Sequence, residues 1–433
     1  MLKVTKPIAA ILKKWTMTTA AIVIATAVLF VVVNFICLGV FALFSGVLQT
    51  SAERITDEFY IKFTTRQSGH SMEWLAIDDT ATLQEFFVEN TAHATIGNVY
   101  EDFTGFKTTP WKGKFFNFKP EGYREAKGEA PWPPSPNNYN VFFFGGSTTM
   151  GIGPDWATMS SYFQDRLAGN LIGGKPVKVY NFGRGAYFST QERILFQQLL
   201  LDRRQPDLAI FIDGLNDFYF LDGKPGTSQM YEQIFNKAQA SQASGKGIAQ
   251  RIADSLLYRA KALVNQTSSL PITRAAMSIA ETLMPSAQVA LPIYKPESIA
   301  PEALEKVIDR YLENKRQIEG VAAAYGFKTL FVWQPVPGYK YDLNYHISLN
   351  PVYGLGGHER SSQGYPLMKK RLKSANLGKD FLWLADIQES LHEPLYMDAV
   401  HYTASFSKMI GNAIADHVAT DESIPQSAER LGN

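Results

Sequence analysis

Two hydrophobic patterns run along this chain. The first is continuous: no residue from Thr18 to Leu48 is charged, a run longer than the ~20 residues that a membrane-spanning helix needs. Lys3, Lys6, Lys13 and Lys14 precede it with no acid among them, and Glu53, Arg54, Asp57 and Glu58 follow it. The positive-inside rule then keeps residues 1–17 in the cytoplasm, spans the membrane with 18–48 and sends the rest of the chain to the extracytoplasmic side. The run is too long for the apolar core of a signal peptide, and no Ala-x-Ala-like site closes it. A buried helix of a soluble protein would not need such length or such a clean basic flank.

The second pattern is rhythmic and begins near residue 138. Before it, residues 51–137 mix short apolar pieces with turn signals and end in Pro131-Trp132-Pro133-Pro134-Ser135-Pro136, an extended connector by composition. Val141-Phe142-Phe143-Phe144 then runs into Gly145-Gly146, as a strand covered on both faces would. Helical spacing follows over 160–171, a strand over 177–182, a helix over 190–201 and a strand over 208–212. That alternation predicts βαβ units on a parallel sheet. Residues 218–300, with a Gln/Ala/Ser-rich stretch, interrupt it as an insertion near the active-site face or a lid. A long helix over 301–325 and a strand over 329–333 resume it. A second insertion, about 337–375, carries Tyr341, Tyr345, Tyr353 and Tyr365. A strand over 381–385 and a helix over 405–417 complete a domain expected to cover 138–420, before a short tail at 421–433.

Composition narrows the chemistry. A formal net charge of +1 gives no electrostatic case for nucleic acid. The one cysteine, Cys37, lies in the apolar run. It forms no internal disulfide, and no Cys/His cluster has metal-site spacing. No metal or organic cofactor is implied.

In open α/β sheets ligands sit at the carboxyl ends of the strands. The first strand ends in Gly145-Gly146-Ser147-Thr148, the second in Asn181-Phe182-Gly183-Arg184-Gly185-Ala186 and the third in Asp213-Gly214-Leu215-Asn216-Asp217. Asp398-Ala399-Val400-His401 stands just before the last helix. In this order the four pieces resemble the blocks of the SGNH (GDSL-like) serine hydrolase superfamily, over about 140–417 apart from the insertions. The resemblance implies a three-layer α/β/α sandwich with a central parallel sheet. It also implies a triad of Ser147, Asp398 and His401, and an oxyanion hole from the N–H of Ser147, the N–H of Ala186 and the amide of Asn216. Gly185 and Gly214 neighbour that hole. Two positions depart from the family pattern. Gly-Gly-Ser-Thr replaces Gly-Asp-Ser-Leu and leaves the serine in place. Ala186 stands where the family has glycine, which keeps the N–H but questions the backbone conformation. The rival α/β-hydrolase elbow needs Gly-x-Ser-x-Gly, and its second glycine is missing here.

By this resemblance the chain is an esterase acting on carbohydrate or lipid acyl esters, O-acetyl esters among them. The alternatives are an O-acyltransferase of the same fold, served by a membrane-bound acyl donor, and a catalytically silent anchored binding or assembly protein. Arg184 either forms an ion pair or meets an anionic substrate group. Trp333 and the tyrosines of the second insertion either line a ligand groove or pack in the core. His70, His93, His346, His358, His392 and His417 are expected to be ordinary histidines.

Overall fold

Seven consecutive residues from Tyr139 to Gly145 are buried, and so are the six from Leu208 to Asp213. Strands buried at every position need cover on both faces, and the computed structural model supplies it. It describes residues 22, 24–26, 28–36, 71–225, 298–347, 354–375, 377–421 and 424.

The helices are α1 (Ser71–Leu75), α2 (Thr80–Ile96), α3 (Ser147–Met150), α4 (Met159–Arg166), α5 (Ser189–Leu201), α6 (Leu215–Tyr219), α7 (Pro301–Tyr325), α8 (Arg360–Ser374) and α9 (Ala404–Thr420). Strands β1 (Asn98–Glu101) and β2 (Gly105–Thr108) form an antiparallel hairpin. The main sheet holds β3 (Trp111–Lys112), β4 (Asn117–Phe118), β5 (Arg124–Glu125), β6 (Tyr139–Gly145), β8 (Lys175–Asn181), β9 (Leu208–Asp213), β10 (Lys328–Trp333) and β11 (Phe381–Trp383), with β7 (Leu171–Ile172) paired to β8. Its order is β11-β10-β9-β6-β8-β5-β4-β3. The five strands from β11 to β8 are parallel, and β5, β4 and β3 continue them antiparallel.

The pleat of β6 divides its side chains. Val141 and Phe143 join Phe163 of α4 and Phe406 and Ile410 of α9 in one core. Phe142 and Phe144 join Phe196 of α5, Ile318 of α7, and Phe211 and Phe331 of the neighbouring strands in another. Each such side chain, once fully buried, contributes roughly 1.5–3 kcal/mol. The layers are therefore helix, sheet and helix. The α4–α9 crossing is close: a Cβ on Gly411 would lie 2.5 Å from the Met159 carbonyl oxygen.

The structure departs from the pattern reading in three places. The sheet is mixed rather than purely parallel. Its antiparallel edge comes from residues 111–125, within the stretch expected to be an extension and connector. In the second insertion, Arg360–Ser374 is a helix despite Gly364 and Pro366. The glycine is needed there, because a Cβ would lie 2.1 Å from the Phe218 ring.

The described residues at 22–36 are helical, and Ile22, Ile24, Val28, Leu29 and Phe35 among them are exposed. They belong to a unit separate from the sheet. Among the described residues no helix is long and apolar enough to cross a membrane. Most of the 218–300 insertion and the ends of the expected span lie outside the described residues.

Candidate active site

Ser147 opens α3 directly behind the end of β6, with Gly146 as the N-cap. Both preceding glycines are sterically required. A Cβ on Gly145 would lie 2.1 Å from Thr149 Oγ1, and one on Gly146 would lie 2.4 Å from Asn216 Nδ2. The amide of Asn216 thus sits against the peptide that leads into Ser147. The second strand end packs on the same turn: Asn181 Nδ2 donates to the Thr149 carbonyl (2.9 Å), and a Cβ on Gly183 would lie 2.4 Å from the Met150 nitrogen.

Beside it, Tyr187 N–H donates to the Arg184 carbonyl (3.3 Å) and closes a turn around Gly185 and Ala186. Ala186 has φ 59°, as the third position of a type II turn requires. The alanine thus takes the left-handed conformation that glycine would adopt without strain. Asn216 Nδ2 donates to the Tyr187 carbonyl (2.7 Å). An amide nitrogen carries two hydrogens, so one remains for another acceptor. Arg184 is 1% exposed and pairs with Glu101. Its guanidinium also donates to the Tyr187 hydroxyl (2.8 Å) and the Phe106 carbonyl (3.1 Å). The ion-pair reading of Arg184 is the one realised, and the partner comes from the β1–β2 hairpin.

His401 Nδ1 lies 2.7 Å and 2.8 Å from the two carboxylate oxygens of Asp398. The N–H groups of Val400 and His401 also donate to Asp398 Oδ1 (3.0 and 2.8 Å). Burial pushes the Asp398 carboxyl up. The His401 charge and hydrogen bond and the two backbone donors outweigh it and hold the group well below the usual carboxylate range. A small cavity is lined by Ser147, Thr148, Ile152, Trp74, Met397 and His401, among others. His401 Nε2 is buried and makes no hydrogen bond, so the Ser147–His401 hydrogen bond of a resting triad is not formed here. Such bonds are often long before substrate arrives. Four of the expected residues are therefore brought into one neighbourhood: Ser147, Asp398, His401 and Asn216. Ala186 stands in the adjoining turn with its side chain exposed.

Glu192, Asp213 and Asp217 are buried around the Asn216 helix. Burial raises all three carboxyls, and mutual repulsion adds to the rise at Glu192 and Asp213. They are driven toward the neutral form.

Of the two readings of the aromatics, core packing is the one realised at Trp333, Tyr341 and Tyr365, all buried. Trp333 packs edge-on against Tyr311 (4.8 Å) and stacks on Trp383 (6.3 Å). Tyr353 lies outside the described residues. Among the described residues no group of His, Cys, Asp and Glu side chains could hold a metal ion. The pattern reading also overlooked Gln334, Arg124 and Trp74. Gln334 follows the fourth parallel strand, so the rule that singled out the first three strand ends reaches it too.

No family model matches the chain, and no curated protein matches it. Among solved structures, it is similar to an acetyl xylan esterase, AlAXEase (12% identity, 64% of this chain and 99% of that one, TM-score 0.34). It is likewise similar to Est24, a carbohydrate acetylesterase from Sinorhizobium meliloti (17%, 65% and 99%, 0.28). A third is a member of the lipolytic protein G-D-S-L family from Veillonella parvula DSM 2008 (9%, 65% and 98%, 0.31). Identities and scores this low carry neither a fold nor an activity over to this chain.

Proposed function

We propose that the chain is a serine esterase of the SGNH type, held at a membrane by its N-terminal apolar segment, which cleaves acyl esters of carbohydrate or lipid through an acyl-enzyme on Ser147. One observation carries the reading. His401 is fixed through Nδ1 by a carboxylate, while its unpartnered Nε2 belongs to a ring that lines the same cavity as Ser147. A serine hydroxyl is a weak nucleophile until a base takes its proton. Nε2 takes the proton as Oγ attacks the ester carbonyl, and Asp398 stabilises the imidazolium. The N–H of Ser147, the N–H of Ala186 and the remaining hydrogen of Asn216 Nδ2 receive the developing oxyanion. The imidazolium then protonates the leaving alcohol. Water attacks the acyl-enzyme by the same route in reverse.

The test is a fluorophosphonate probe with ester turnover measured alongside. Wild type should label at Ser147 and hydrolyse p-nitrophenyl acetate. Ser147→Ala should do neither, and Asn216→Ala should lose roughly 10²–10³-fold in kcat. Undiminished turnover by Ser147→Ala would exclude the assignment.

A further inference from the structure

We propose that Gln334 is a positioning residue that sets the separation of Ser147 and His401; the inference rests on the serine-hydrolase reading. Gln334 is the first residue beyond β10. Its N–H donates to the Asp213 carbonyl at the end of β9 (3.1 Å), and its carbonyl accepts from the Tyr365 hydroxyl (2.9 Å). Backbone and strand end are thereby held. From that anchor the side-chain oxygen reaches two residues. The Thr148 hydroxyl donates to Gln334 Oε1 at 2.7 Å, and the Tyr402 hydroxyl lies 2.8 Å from the same atom. Thr148 directly follows Ser147, and Tyr402 directly follows His401.

These partners stand 186 and 68 residues from Gln334 along the chain, so no local backbone geometry fixes their spacing. The atoms are shielded from water: Gln334, Thr148 and Tyr402 are 2%, 4% and 5% exposed. In a low-dielectric interior such hydrogen bonds are strong and directional, and leaving one unmade is costly. The single hydroxyl proton of Tyr402 is shared between Gln334 Oε1 and the Pro335 carbonyl, which lies 2.7 Å away. The base-bearing segment is tied on its other side, where Met397 N–H donates to the His401 carbonyl (2.8 Å). The rigid end of β10 thus holds nucleophile and base through the residues just behind them. Displacing one reacting group by about an ångström can cost roughly 10²-fold in rate.

The full-length chain is tested as Gln334→Leu, Gln334→Glu, Thr148→Val and Tyr402→Phe. The rate of fluorophosphonate labelling is followed against pH, with kcat and KM for p-nitrophenyl acetate. Gln334→Leu should lower labelling and kcat by roughly 10–100-fold and leave KM within about twofold. Gln334→Glu keeps the acceptor and should recover most of the rate. Thr148→Val and Tyr402→Phe should each slow labelling, and neither should slow Gln334→Leu further, because the three act as one unit. Wild-type labelling and pH profile in Gln334→Leu, or a Gln334→Glu rate as low as that of Gln334→Leu, overturn the proposal. If Gln334→Leu does not fold, the two single-bond variants decide, and wild-type rates in both overturn it. A wild-type chain that is never labelled overturns the hydrolase reading and this inference together, an outcome distinct from the others.

Discussion

Asp398 and Ala186 each carry a measurable consequence of their local chemistry. The Asp398 carboxyl is held below its unfolded range by His401 and two backbone donors. A group with a depressed folded pKa adds stability above its unfolded pKa, here ~3.9, and loses it as the pH falls toward the folded value. Urea midpoints of wild type and Asp398→Asn should therefore differ most near neutrality and converge below about pH 4. A constant gap down to acid pH would contradict this assignment. The same variant should lose roughly 10⁴-fold in turnover, since an amide no longer holds the imidazole in the required tautomer. At Ala186, φ 59° places a side chain in a conformation that costs roughly 1 kcal/mol. Ala186→Gly should raise stability by about 0.5–1 kcal/mol, read from the denaturation midpoint, and keep activity because the N–H is unchanged. This position was legible in the sequence as a departure. Only the backbone angle revealed that the alanine accepts the strain instead of moving the turn.

The short elements around the site are held by the stretch that precedes it. Arg124, on β5, is fully buried and donates to Asp155 Oδ1 (2.7 Å) and to the carbonyls of Gly151 (2.7 Å), Met150 (3.1 Å) and Gly153 (2.6 Å). It thus fastens the loop that leaves α3. Arg124→Ala would strand Asp155 in a buried site and free those carbonyls. The expected cost is about 3–5 kcal/mol, the range for breaking a buried ion pair from one side, with a fall in kcat. A loss of stability below about 1 kcal/mol in urea denaturation would count against this role. The β1–β2 hairpin does the equivalent for the turn at 184–187, through Glu101 on Arg184 and the Phe106 carbonyl on Tyr187. The longer strands and helices from 139 onward, α8 apart, were readable because each carries an apolar pattern over several residues. β3, β4 and β5, of two residues each, are too short to carry one. α8 was hidden by Gly364 and Pro366, whose poor helix propensity is overridden by close packing on Phe218.

At the scale of the whole molecule, the unit that holds the candidate site is joined to an apolar N-terminal segment. The described part of that segment is a helix with exposed Ile, Val, Leu and Phe side chains, surface that is costly to leave in water. The proposed anchor predicts that the full chain sediments with membranes and resists release by high salt. Removal of residues 1–55 should leave the hydrolase unit in the soluble fraction. Recovery of the intact chain in the salt wash would refute the anchor.

The alternation of the longer strands and helices from 139 onward, the apolar first segment and the four strand-end blocks could be read from the sequence, because each depends on residues close together in the chain. The mixed sheet, the burial of Trp333 and Tyr365, the pairing of Arg184 with Glu101 and the meeting of Thr148 and Tyr402 at Gln334 were decided only by tertiary structure. Periodicity reports which face of an element is apolar. It carries no information about which distant side chain will fill the space opposite, and contacts of that kind fix how the residues of the candidate site face one another.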